Sequence, residues 1–112
     1  MKKELNAKPI FARKIYVSHK FNGDQENIKI VENKIKTLRK EYPAYLFISP
    51  IHTFSYLYNE TSYEEGLRMC LELMKCCDEV FVIDDNYLDS KGVVCELMFA
   101  HEYNIPVYHI SI

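Results

Sequence analysis

The 112-residue sequence predicts an α/β fold in which a parallel sheet lies between layers of helices. Three observations carry that expectation. Four short runs rich in β-branched and aromatic residues are spread along the chain, and between them lie stretches with apolar residues at helical spacing. The connections are long enough for crossovers, which parallel strands need and which are right-handed. The second run, Ala44 to Ser49, is nearly continuous in apolar character, as a strand covered on both faces would be.

The first element is Lys14-Ile15-Tyr16-Val17-Ser18-His19, a strand that ends in the turn-forming Asn22-Gly23-Asp24. From Gln25 to about Tyr42, Ile28, Val31, Ile35 and Leu38 recur on one side of a helix, while Lys29, Glu32, Lys36 and Lys40 form its solvated face. Pro43 stops this helix, and the Ala44 to Ser49 strand follows, fully buried by expectation and closed by Pro50. Ile51 to Thr61 reads as a polar and aromatic loop. Ser62-Tyr63-Glu64-Glu65 has capping-box spacing, and Leu67, Cys70, Leu71 and Met74 give the second helix its apolar stripe. Asp78 to Asp84 is a third strand, and Asp85 to Asp89 a loop. Ser90 caps a third helix that runs to about Tyr103, and Pro106 to Ile110 is the last strand. The arrangement expected is a three-layer, Rossmann-like or flavodoxin-like fold with four or five parallel strands, in the order 2-1-3-4, and helices on both faces. In that order the switch point lies between strands one and three, where Ser18 to Asp24 and Asp84 to Gly92 converge.

Composition narrows the function. Three Gly and four Pro are too few for a low-complexity chain, and residues 1–112 are expected to form one domain, with a polar leader over 1–13 and a core over 14–110. A net charge of -2 supplies no positive field for a phosphate backbone, so a nucleic-acid polymer is not the expected partner. No apolar run is long enough to span a bilayer, and Leu5-Asn6-Ala7-Lys8-Pro9 is not a secretory core, so no membrane partner and a cytoplasmic location are expected. Cys70, Cys76, Cys77 and Cys95 lack metal-ligand spacing and read as reduced, buried small hydrophobes; no metal or other cofactor is implied.

Ser90 and Gly92 open the third helix beside the switch point, where free amides and the positive dipole end suit an anion, although from position alone a plain helix cap, which needs no ligand, is the simpler account of Ser90. Glu96 falls in the apolar sector of that helix, between Val93 and Ala100. A buried carboxylate is costly enough to imply a purpose, the alternative being an ion pair with Lys91 or with a residue of another chain. Asp84, Asp85 and Asp89 bring negative charge to the sheet edge, where they hold a sugar hydroxyl or solvate the loop. His19 and His52 can both reach the cleft as stacking groups or proton donors, whereas His101 and His109 read as surface or edge residues.

Lys14-Ile15-Tyr16-Val17-Ser18, Ile48-Ser49-Pro50-Ile51-His52, the string from Ser90 through Gly92 and Glu96 to Ala100, and Asn104-Ile105-Pro106-Val107 together form a pattern. It resembles the nucleoside 2-deoxyribosyltransferase superfamily, including its branch that cleaves nucleoside 5'-monophosphates and its small phage and bacterial members. The resemblance spans residues 14–110, and the Ser90 to Ala100 string is its most specific part. It implies that Glu96 attacks the anomeric carbon of a (deoxy)ribosyl group and releases the base from a glycosyl-enzyme ester. It implies that Ser90, where the transferase branch carries an aspartate, favours a 5'-phosphate, with Gly92 in the phosphate-facing turn. Tyr16 and Ser18 match positions lining the sugar and base pocket, and His52 and Asp84 stand at the edges of the cleft.

The chain also departs from the pattern. His19-Lys20 replaces the small-residue and proline segment usual after strand one, which narrows the pocket or supplies Lys20 to the phosphate. The carboxylate that orients the leaving group has no counterpart in Arg68-Met69-Cys70-Leu71, leaving Glu64 or Glu65 as substitutes. The function expected is cleavage or transfer at the N-glycosidic bond of a nucleoside 5'-monophosphate or related nucleoside. The alternative is a non-catalytic module that senses or sequesters a nucleotide on the same fold. The third helix is apolar nearly all round, with Val94, Cys95 and Met98 outside the face a sheet covers, which predicts at least a homodimer.

Overall fold

The computed structural model describes residues 11–112. Most of the leader expected over 1–13 lies outside these residues, and its last member, Arg13, already belongs to a strand. The elements in chain order are β1 (Arg13–Ser18), α1 (Gln25–Glu41), β2 (Tyr45–Ile48), α2 (Pro50–Phe54), α3 (Tyr63–Lys75), β3 (Glu79–Val82), α4 (Lys91–Glu102) and β4 (Val107–His109). Single 3-10 turns cover Ser55–Leu57 and Tyr87–Asp89. The four strands form one parallel sheet in the order β2-β1-β3-β4, as expected from the sequence.

Alternation along the strands divides the core into two layers. Ile15, Val17, Phe81 and Ile83 pack against Val31 and Leu38 of α1 and Ile51 of α2. Tyr16, Val80 and Val82 turn to the other face and meet Met74 of α3 and Val93 and Ala100 of α4. Local chemistry sets the helix ends. The Asp24 side chain accepts from the Glu26 amide at 2.9 Å to cap α1, and Ser62 and Glu65 make a reciprocal capping box for α3. The turn between β1 and α1 needs two left-handed residues, Asn22 (φ 54°) and Gly23 (φ 70°). A third, Asn104 (φ 57°), turns the chain off the end of α4 toward Pro106.

Three sequence expectations are corrected. β2 is not fully buried: it is an edge strand, and Leu46 is 39% exposed because α3 and α4 cover β1 and β3 instead. The segment after β2 begins as a helix rather than a loop. Ser49 caps it by accepting from the His52 amide at 3.3 Å, and Pro50, which ends the strand, also occupies the first helical position with its φ already set. Of the four cysteines, all free, only Cys77 is buried; Cys76 is exposed at the C-cap of α3, and Cys70 and Cys95 are half-buried. Among the described residues no helix is long and apolar enough to cross a membrane.

Candidate functional site

The carboxyl ends of β1 and β3 open onto a cavity of about 420 Å3 at the topological switch point. Its walls come from four places: His19, Lys20 and Phe21 after β1, Pro50 and Phe54 of α2, Tyr63 and Cys70 of α3, and Ser90, Gly92 and Glu96 at the start of α4. Tyr58 adds a further ring, packed edge-on against Phe21 with centroids 5.1 Å apart. Tyr58 also lies over the β1 to α1 turn. A Cβ on Gly23 would come within 2.7 Å of its ring, so glycine there serves both the positive φ and this close approach.

Glu96 is 7% exposed and is the sole carboxylate among the described residues lining the cavity. Tyr16 and Ser18, two residues apart on β1, project to the same face of the sheet as α4. The Tyr16 hydroxyl donates to Glu96 Oε2 and the Ser18 hydroxyl donates to Oε1 at 3.3 Å, so each carboxylate oxygen has a fixed partner. Its partners are thus β1 hydroxyls and not Lys91. Burial pushes the Glu96 carboxyl up to about 7, and the two hydroxyl bonds act against that rise by favouring the ionised form. Tyr16 is raised well above the usual phenol range by its own burial and then by the Glu96 charge. The same two causes push the Cys70 thiol up to about 11, so it stays protonated at neutral pH.

The sequence candidates divide into those the cavity gathers and those it does not. Lys20, Ser90, Gly92 and Glu96 line it, with Tyr16 and Ser18 directly behind Glu96. The Ser90 side chain accepts from the Val93 amide at 3.3 Å, so it caps α4 while facing the cavity. Asp84 stands behind the wall. It is buried and accepts from the backbone amides of Lys20 at 3.1 Å and Asn86 at 3.0 Å, which ties the two switch-point loops together. His52 faces away from the cavity. Its Nδ1 shares a 2.7 Å hydrogen bond with the Ser49 hydroxyl, and its Nε2 lies 3.2 Å from Glu32 on α1. Glu64 and Glu65, considered as substitute carboxylates, are exposed at the start of α3, and Glu65 is spent in the capping box.

Phe21 belongs to the Ser18 to Asp24 segment expected at the cleft, whereas Tyr63 and Cys70 line the cavity without having been expected there. Tyr63 and Cys70 are seven residues apart on α3, hence on one face, and that spacing was legible; what it faces depends on how α3 crosses the sheet. Among the described residues no group of three His, Cys, Asp or Glu side chains is placed to hold a metal ion.

Comparison with solved structures gives a 2-deoxyribosyltransferase from the psychrotolerant bacterium Bacillus psychrosaccharolyticus, characterised as a biocatalyst for nucleoside synthesis. The two chains share 28% identity over 88% of this chain and 72% of that one, with a TM-score of 0.66. The fold is therefore that of a nucleoside deoxyribosyltransferase. No curated protein matches the sequence. A family profile described as a domain of unknown function, DUF7768, matches residues 13–110, and the chain belongs to that family.

Proposed function

We propose that this protein breaks the N-glycosidic bond of a nucleoside 5'-monophosphate, or a related nucleoside, with Glu96 as the nucleophile, and passes the glycosyl group to water or to another base. The observation that carries the reading is the buried Glu96 carboxylate facing the cavity, with both oxygens held by β1 hydroxyls. A carboxylate in that setting is prepositioned, and one oxygen can bond to the anomeric carbon as the bond to the base nitrogen breaks. The electron pair leaves with the base. Attack by water or an incoming base then breaks the ester and returns the carboxylate. The structural likeness to a deoxyribosyltransferase supports the same class of chemistry.

The cavity walls match the parts of such a substrate. Phe21, Phe54, Tyr58 and Tyr63 offer aromatic faces to a base. Ser90, the amides of the first turn of α4 and Lys20 offer donors and positive charge to a 5'-phosphate. The test is incubation of the protein with a panel of nucleosides and their monophosphates, read by liberated base. Release from at least one monophosphate, abolished in Glu96→Gln, is the expected result.

A second reading, a binding module without turnover, is favoured by one observation: no other carboxylate among the described residues lines the cavity to orient or protonate the leaving base. Calorimetric binding of a monophosphate without base release would select it.

A further inference from the structure

Resting on the glycosidic reading above, we propose that His19 is the proton donor to the departing base. Departure of a nucleobase from the anomeric carbon leaves an electron pair on a ring nitrogen, and cleavage at neutral pH needs a proton delivered there. Besides Glu96, the titratable side chains lining the cavity are His19, Lys20, Tyr58, Tyr63 and Cys70, and Asp84 stands behind Lys20. Glu96 is engaged as the nucleophile. Burial raises Cys70 and Tyr63, and phenol and ammonium groups as a class hold their protons too firmly to cycle them near neutral pH. Imidazole is the side chain that as a class both gives and regains a proton near neutral pH, and His19 is the one imidazole lining the cavity among the described residues.

The position of His19 fits the task. It follows Ser18, which holds Glu96, and is 7% exposed. Its Nδ1 lies 2.8 Å from the Lys20 carbonyl, an oxygen that can only accept, so Nδ1 carries a hydrogen and the exchangeable proton sits on Nε2. Among the described residues nothing bonds Nε2, no sealed side-chain nitrogen or oxygen goes without a partner, and His19 is one of the residues lining the cavity, so Nε2 is left accessible. The Lys20 amide that follows is itself fixed by Asp84, which holds this turn in place. In the first half-reaction the Glu96 oxygen bonds to the anomeric carbon, the carbon to base-nitrogen bond breaks, and Nε2–H of the imidazolium passes to that nitrogen. In the second, the neutral Nε2 takes the proton of the attacking water, and the Glu96 carboxylate departs from the anomeric carbon.

The experiment compares wild type, His19→Asn and Glu96→Gln on two substrates: a purine deoxynucleoside monophosphate, and the matching nitrophenyl deoxyriboside phosphate, whose leaving group needs no proton. Asn keeps a donor near the position of Nδ1 while removing Nε2, and His19→Gln stands in for it if its melting temperature falls. First-turnover release of the purine should drop by about 100-fold or more in the His19 variant, with nitrophenolate release slowed less than about 10-fold and the alkaline limb of the purine pH profile gone. Glu96→Gln should abolish both releases. Equal slowing of both leaving groups by the His19 variant, or no slowing of either, overturns the proton-donor role while leaving the glycosidic reading intact. Wild type inactive on both substrates overturns that reading and the proposal with it.

Discussion

Replacing Glu96 by Gln should change how stability depends on pH. In the folded chain burial holds the carboxyl at about 7 against an ordinary value of 4.5. Folded protein therefore binds this proton more tightly than unfolded chain. The stabilisation linked to it is fully present below about pH 4.5 and is lost as the pH rises through about 7. The gap corresponds to roughly 3 kcal/mol for a group this deeply buried. For a domain of this size that is a melting-temperature change on the order of 10 °C. Gln preserves the volume and an acceptor for the Tyr16 hydroxyl but has no titration. The assay is thermal unfolding of wild type and Glu96→Gln from pH 5 to pH 8, with the difference between them plotted, which cancels groups that titrate alike in both. Wild type should lose stability relative to the variant across that range, with most of the loss below about pH 7. A difference that stays constant with pH would show that Glu96 is not desolvated in the fold.

Other consequences follow from the same geometry. Tyr16→Phe removes a donor that favours the ionised carboxylate, so the acid limb of any base-release profile should move to higher pH; an unmoved limb would show that this hydrogen bond does not tune Glu96. Monophosphates should bind more tightly than the matching nucleosides by about 1.5 to 3 kcal/mol in calorimetry, and Ser90→Asp should reverse the order; equal affinities would remove the phosphate assignment. Leu38→Ala, at a fully buried position of α1, should cost about 2 to 5 kcal/mol in denaturant unfolding while leaving ligand affinity within a few-fold. Of the three α4 residues behind the expected homodimer, Met98 is 67% exposed while Val94 and Cys95 are half-buried; a monodisperse monomer at micromolar concentration in light scattering would contradict that expectation.

Much of the fold was legible because periodicity and punctuation agree. Val31 and Leu38 on α1, the Ser62 to Glu65 capping box and the Ser90 cap each mark an element that forms where the pattern places it. Expectation failed where one residue had two meanings or where exposure depended on strand order. Pro50 both ends a strand and begins a helix, and the apolar β2 became an edge strand that the opposite helix layer leaves partly open. At the site, the burial of Glu96 was readable from its helical sector, but its partners were not, since Tyr16 and Ser18 lie 80 and 78 residues away. His52 shows the opposite limit. A loop position suggested the cleft, yet the short helix that Ser49 caps turns the imidazole toward Glu32.

If the Glu96 carboxylate bonds covalently to a sugar, that bond can be trapped. A fluorinated deoxyarabinosyl nucleotide, in which the fluorine beside the anomeric carbon slows hydrolysis of a glycosyl ester more than its formation, is incubated with the protein before digestion and mass spectrometry. A glycosyl adduct is expected on the peptide containing Glu96 and none in the Glu96→Gln variant. Base release by the wild type with no adduct at any carboxylate, or an adduct on a residue other than Glu96, would contradict the nucleophile role of Glu96.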